Sequence, residues 1–83
     1  MKQIKIAHFA AFCPGKTGQY ATVKDLIKAE RAVGIDAQFV DYNTTEGALY
    51  SKVGLFDEGI ATISHDWAYK EADIIIRHSL IHD

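Results

Sequence analysis

"GQYATVKDLIKAERAVGIDAQFVDY", residues 18–42, decides how this chain folds. From Gln19 to Val33 the apolar residues recur at helical spacing. Tyr20, Val23, Leu26, Ile27 and Val33, with small Ala29 and Ala32, fall on one side of a helical wheel; Lys24, Asp25, Lys28 and Arg31 fall on the other. Gly34 stops the helix as a left-handed C′ residue, and Ile35 is placed for the apolar contact that accompanies such a cap. "DAQFVDY", Asp36 to Tyr42, then reads as a strand.

Working outward, the upstream run "IKIAHFA", Ile4 to Ala10, is short, apolar and closed by a Cys-Pro-Gly turn, which predicts a buried strand. Strand, helix and strand within about forty residues make a βαβ unit. Downstream, Asn43 to Gly59 holds three glycines and no clear period, a long connection of the kind that is often functional or mobile. Ile60 to Ile63 predicts a short edge strand. "HDWAYKEA" predicts one or two helical turns with Asp66 as N-cap. "DIIIRH", Asp73 to His78, predicts a strand whose consecutive isoleucines are buried on both faces. The expected fold class is α/β: a Rossmann-like half-domain with a mainly parallel open sheet. Its expected strand order places the 60–63 edge first, then the 36–42 strand, the 4–10 strand and the 73–78 strand. The chain stops seven residues after Ile76 with no helix to cover that strand, as the first half of a Rossmann-type domain would if cut short.

The 83 residues make a single domain, 1–83, with a thin stability margin, since a domain this small buries only a little over ~60% of its unfolded surface. The net charge of -2, with nine Lys and Arg among eleven acids, argues against a nucleic-acid partner, which would require a basic surplus or stripe. One cysteine, Cys13, excludes an intrachain disulfide and suits a reducing cytoplasm. Lys5 and His8 interrupt the N-terminal apolar run, so it reads as a strand and not as a leader, and no segment reaches the ~18 apolar residues of a membrane span.

Gly15-Lys16-Thr17 ends a P-loop signature, G-x-x-x-x-G-K-[ST]. The rest of the signature is missing. Ala10 stands where the first glycine belongs, and Pro14 removes a backbone N–H from the phosphate nest. Gly18 intervenes before the helical pattern begins. The G-x-G-x-x-G dinucleotide fingerprint is absent as well. Gly15 and Gly18 still allow close approach of a ligand to the backbone, and helix N-terminal amides favour an anion; the bland alternative is a tight strand-to-helix turn.

Beyond these local readings, residues 18–42 resemble the first βαβ unit of retaining, nucleotide-sugar-dependent glycosyltransferases of the two-domain GT-B fold. The similarity is to a bacterial and phage branch with a "GLYE-T-RDL-KAE--LGH-A--VD" pattern. Gly18, Tyr20, Thr22, Asp25, Leu26, Lys28, Ala29, Glu30, Gly34, Ala37, Val40 and Asp41 match it in order, and Trp67 with Ala72-Asp73-Ile74…His78 looks like the family's following "-ADI---H" strand. The resemblance implies an acceptor-side N-terminal domain. It places Gly15, Lys16, Thr17 and Gly18 in a loop facing the interdomain cleft, and His78 at the cleft beside the reacting sugar. There a histidine acts as a base or orients the acceptor hydroxyl; the other reading of His78 is a polar cap on a buried strand. The donor nucleotide-sugar of a full-length relative is held mainly by a second domain. The resemblance therefore implies no cofactor bound by these 83 residues and no sugar transfer by them alone. A competing reading is a stand-alone interaction module or inhibitor that binds a protein partner, or forms a homo-oligomer, through the exposed C-terminal sheet edge. A third is a P-loop-like nucleotide binder.

The remaining polar and aromatic residues carry blander readings. His78 and His82, four apart and followed by Asp83, do not make a metal site if His78 ends a strand, so no metal is expected. His65-Asp66 with His8 could form a polar cluster at strand ends, but nothing in the sequence brings them together, and a solvent-exposed pair is the better reading. Cys13 is a small turn residue with no histidine in motif-like relation to it. Lys24, Lys28 and Arg31, with Asp25 and Glu30 beside them, read as a solvated helix face. Phe9, Phe12, Tyr20, Phe39 and Phe56 are mainly core candidates; of these Phe12 and Phe56, in loops, are the ones suspected of facing a partner.

Overall fold

The computed structural model describes residues 3–12, 18–41, 54 and 56–78. Lys5–Ala10 forms the central strand, β1, and α1 (Gly18–Ala32) leads to β2 (Asp36–Asp41). A hairpin of two short strands, β3 (Phe56–Asp57) and β4 (Ile60–Ala61), precedes α2 (His65–Glu71) and β5 (Ile74–Arg77). β2 and β5 flank β1, both parallel to it, so the three-stranded sheet has the order β2-β1-β5. This is the α/β, Rossmann-like open sheet that the βαβ pattern predicts. The expected edge strand reaches β2 only through one bridge, between Phe39 and Thr62, because Ile60 and Ala61 pair back on β3.

The two faces of β1 are covered by different helices. Ala10 packs with Ala37 and Phe39 of β2 against Tyr20, Val23 and Ile27 of α1, with Ile60 from the hairpin closing that core. Ala7 and Phe9, pointing the other way by strand alternation, pack with Val40 against Ala68 of α2, beside Ile63, Trp67 and Ala72. β1 is thus buried along nearly its whole length, which is what an apolar run without alternation requires.

Both helix ends are built by named side chains and bonds. At the end of α1, Gly34 (φ 91°) takes the left-handed conformation, Ile35 N–H donates to Glu30 O (3.0 Å) and Gly34 N–H donates to Arg31 O (3.1 Å). That is a Schellman cap, and Ile35 packs onto the core as expected. The N-cap of α2 is Ser64 and not Asp66. Ser64 is extended (φ -73°, ψ 155°) and its Oγ accepts from Trp67 N–H, which leaves Asp66 free to sit in the first turn, where a negative charge suits the helix dipole.

The helix carries a narrower apolar stripe than the wheel suggests. Tyr20, Val23 and Ile27 are buried, but Leu26 and Val33 are exposed, at 40% and 75%. Nor is the opposite face simply solvated. Lys24 and Lys28 both pair with Glu58 in the β3–β4 turn, and Lys24 also reaches Asp57 (3.3 Å). The buried Tyr20 donates its hydroxyl proton to the same Asp57. Polar side chains thereby fasten the hairpin to α1.

β5 departs most from expectation. Ile74 and Ile75 are 46% and 41% exposed, because β5 pairs only with β1 and, among the described residues, nothing packs on its outer side. Phe12 belongs to the core and not to an outward surface, since its ring meets Tyr20 (5.2 Å between centroids) and Phe39 (5.1 Å) edge-on. Phe56 is exposed. Among the described residues no helix is long and apolar enough to cross a membrane.

Candidate functional site: a carboxylate–histidine–histidine relay

The connection from β1 to β2 through α1 and the one from β2 to β5 through α2 cover opposite faces of the sheet, and β5 lands on the other side of β1. In such sheets the crevice at the carboxyl ends of the diverging strands is where ligands bind. β5 ends there at Arg77, and His78 continues the pairing, donating its backbone N–H to Phe9 O (2.9 Å). α1 starts at the same edge with Gly18, which is exposed and has open space where a Cβ would stand. Of the loop expected to face a cleft, Gly15, Lys16 and Thr17 lie outside the described residues, as do Cys13, His82 and Asp83.

The His78 side chain is not a solitary cap. Its Nε2 lies 2.9 Å from Nδ1 of His8, and the two rings stack with centroids 5.1 Å apart and planes inclined by 25°. His8 is fully buried on β1. Its second ring nitrogen, Nε2, lies 2.7 Å from Oε1 of Glu30, whose side chain is 20% exposed. The three residues form one line of hydrogen bonds, from the last turns of α1 through the middle strand to the carboxyl edge of the sheet. The Schellman cap fixes the end of the line, because Glu30 O accepts its 6→1 bond.

The electrostatics follow from this placement. Partial burial holds the His78 pKa below the ordinary histidine value; a positive charge on His8 would lower it further, while the Glu30 carboxylate opposes both. At neutral pH His78 is therefore an uncharged imidazole with a lone pair, the state required of a proton acceptor. No buried side-chain nitrogen or oxygen lacks a partner among the described residues. His78 Nδ1, which bonds to no other described group, is therefore open to solvent. A base with one ring nitrogen free and the other oriented by a second group, itself held by a third, is an arrangement that recurs in acid–base and nucleophilic catalysis.

Sequence reasoning named His78 but not its two partners. His65 and His8, weighed there as a possible polar cluster, sit on opposite faces: His65 packs near Phe9 (5.1 Å between centroids) on the α2 side. Glu30, assigned to the solvated helix face, turns inward. The signal was present in both cases. Tyr20, Val23, Ile27 and Glu30 follow one another at spacings of three and four, so Glu30 continues the buried stripe. A histidine inside a buried strand needs a partner for each polar ring atom. Among the described residues no group of three His, Cys, Asp or Glu is arranged to hold a metal ion. No family model, curated protein or solved structure matches the chain.

Proposed function

We propose that this chain is the acceptor-side, Rossmann-like domain of a glycosyltransferase-type enzyme, in which His78 receives or orients the hydroxyl of a sugar acceptor. The observation that supports it most is the relay: an uncharged histidine at the carboxyl edge of the sheet, backed by His8 and Glu30. A structural cap on a strand does not need a buried second histidine and an inward carboxylate behind it. The nucleotide-sugar donor would belong to a second domain, supplied in the same or another polypeptide, and the single cysteine suits a cytoplasmic setting. The resemblance assigns Gly15, Lys16, Thr17 and Gly18 to the border of the cleft.

The test is a titration of the isotope-labelled chain with a panel of mono- and disaccharides and, separately, with nucleotide-sugars, following the His78 side chain and the Gly18 amide by NMR. The proposal expects a saccharide to shift both signals and free nucleotide-sugars to bind weakly, without hydrolysis. Tight binding of a nucleotide-sugar by these 83 residues alone would defeat it.

A second reading is favoured by one observation, the half-exposed isoleucines of β5. An uncovered apolar edge invites strand addition. On that reading the chain is an interaction module whose partner, another protein or a second copy, covers β5. Sedimentation separates the two: a stable dimer that Ile75→Lys dissociates supports the module.

A further inference from the structure

We propose that Glu30 and His8 are positioning residues that lock His78 in its Nε2–H tautomer, so that Nδ1 of His78 is the atom presented to an incoming hydroxyl. The identity of that hydroxyl rests on the acceptor-side reading above; the tautomer does not.

The chain of reasoning starts at Glu30. A carboxylate only accepts, so the 2.7 Å contact requires a proton on His8 Nε2. A neutral His8, with its single ring proton on Nε2, then has its lone pair on Nδ1. The 2.9 Å contact from His8 Nδ1 to His78 Nε2 must contain one proton, and with His8 as acceptor that proton is on His78. His78 is uncharged by the placement already described. Its remaining nitrogen, Nδ1, carries the lone pair. A carboxylate buried behind one histidine thus sets the tautomer of the next, two hydrogen bonds away.

The consequence for chemistry is local and balanced. When a hydroxyl O–H gives its proton to His78 Nδ1, the ring becomes an imidazolium and the oxygen keeps the bonding pair. The Nε2–H stays directed at His8, and the new charge is opposed by Glu30 across the His8 ring. His8 from β1 and Glu30 from α1 are the titratable groups that act on His78. The two supporting residues need not touch substrate to matter.

Long-range proton–nitrogen NMR of the histidine side chains in the full chain, above pH 7.5 and without ligand, reads the tautomers directly. The expected spectrum has His8 and His78 each as a single Nε2–H tautomer with an unprotonated Nδ1. A proton on His78 Nδ1, or a doubly protonated His8 donating to His78, would overturn the proposal. Glu30→Gln keeps a hydrogen-bonding side chain but removes the charge and the acceptor-only restriction. It should release His78 into a mixture of tautomers and lower its pKa further. An unaltered His78 signal in a folded Glu30→Gln chain would also overturn it, and if that variant does not fold, the spectrum of the unmodified chain still decides. Failure of every saccharide to shift His78 would instead count against the acceptor-side reading while leaving the tautomer result standing.

Discussion

His8 and Glu30 are separated by 22 positions in sequence, yet their side chains meet at 2.7 Å, the histidine fully buried and the carboxylate mostly so. The contact ties the middle strand to the helix that crosses it. Replacing His8 with Phe keeps an aromatic ring of similar bulk but leaves Glu30 facing an apolar surface and His78 without its acceptor. A partner lost from a buried hydrogen bond costs roughly 1–3 kcal/mol. Urea unfolding should show a lower midpoint with an unchanged slope, and a wild-type midpoint would mean that the pair contributes nothing to the fold.

The pH dependence has a definite sign. The His78 pKa is lower in the folded chain than in the unfolded one, chiefly because partial burial disfavours its charge. The unfolded state therefore binds the proton more readily. The associated stability is fully present above about pH 6.5, the ordinary histidine value, and is lost as the pH falls through the lower folded value. His78→Asn should flatten the decline in urea midpoint between pH 7 and pH 5 relative to the unmodified chain. A steeper decline in the variant would reverse the assignment.

Tyr20 donates to Asp57 from a position that is itself buried, which anchors the β3–β4 hairpin to α1. Tyr20→Phe removes only the hydroxyl. A hydrogen bond to a charged acceptor contributes about 1.5–3 kcal/mol, and the lower end applies because Asp57 is partly solvated and keeps Lys24. Calorimetry should detect the loss, and amide exchange at Ile60 should quicken more than at Val23.

Glu58 occupies the left-handed region (φ 51°), unusual for a glutamate, and Gly59 follows at φ 84°. Positive φ at both central positions is what a two-residue hairpin turn demands, and Asn suits the first of them better. What Glu58 adds is charge. Hydrogen bonds from Lys24 and Lys28 hold its pKa at about 2, so that contribution is present above the usual carboxylate value and lost as pH falls toward 2. Glu58 and Lys28 are exposed, so their interaction is screened by salt. Glu58→Asn should weaken the chain slightly in dilute buffer and become neutral or stabilising in 1 M salt. A loss that grows with salt would refute this division.

Gly34 closes α1 with open space around it, so an added methyl meets no atom within 4 Å. Gly34→Ala therefore isolates the backbone cost of a left-handed residue, roughly 1–2 kcal/mol. Because the same cap holds the last turn at Glu30, the His8 and His78 side-chain resonances should shift as well. A destabilised chain with unmoved histidine signals would show that the cap and the relay are independent.

The βαβ unit was legible in residues 4–42 because its signals are local: an apolar run, a helical stripe, a glycine that can turn left-handed, a second strand. The cap at Gly34 and Ile35 could be read for the same reason. The β5 isoleucines could not, since three consecutive apolar residues look alike in a central strand and an edge strand, and only the pairing partners distinguish them. Of the two readings of Phe12 the core one holds, because a loop residue's side chain can fold back onto the core.

His78 was found through resemblance, and its position at the end of a strand is a property of the sequence. Its meaning as a site was not. His8, Glu30 and His78 lie on three different elements, and no spacing in the chain encodes their meeting. It follows from two parallel pairings, β1 to β2 and β1 to β5, and from the register that brings His8 level with Ile76, just ahead of His78. Local chemistry determined the strands, the helix and where the helix stops. Burial of both faces of β1 decided which polar side chains had to find one another, because a histidine removed from water must take its hydrogen bonds from whatever the fold places beside it.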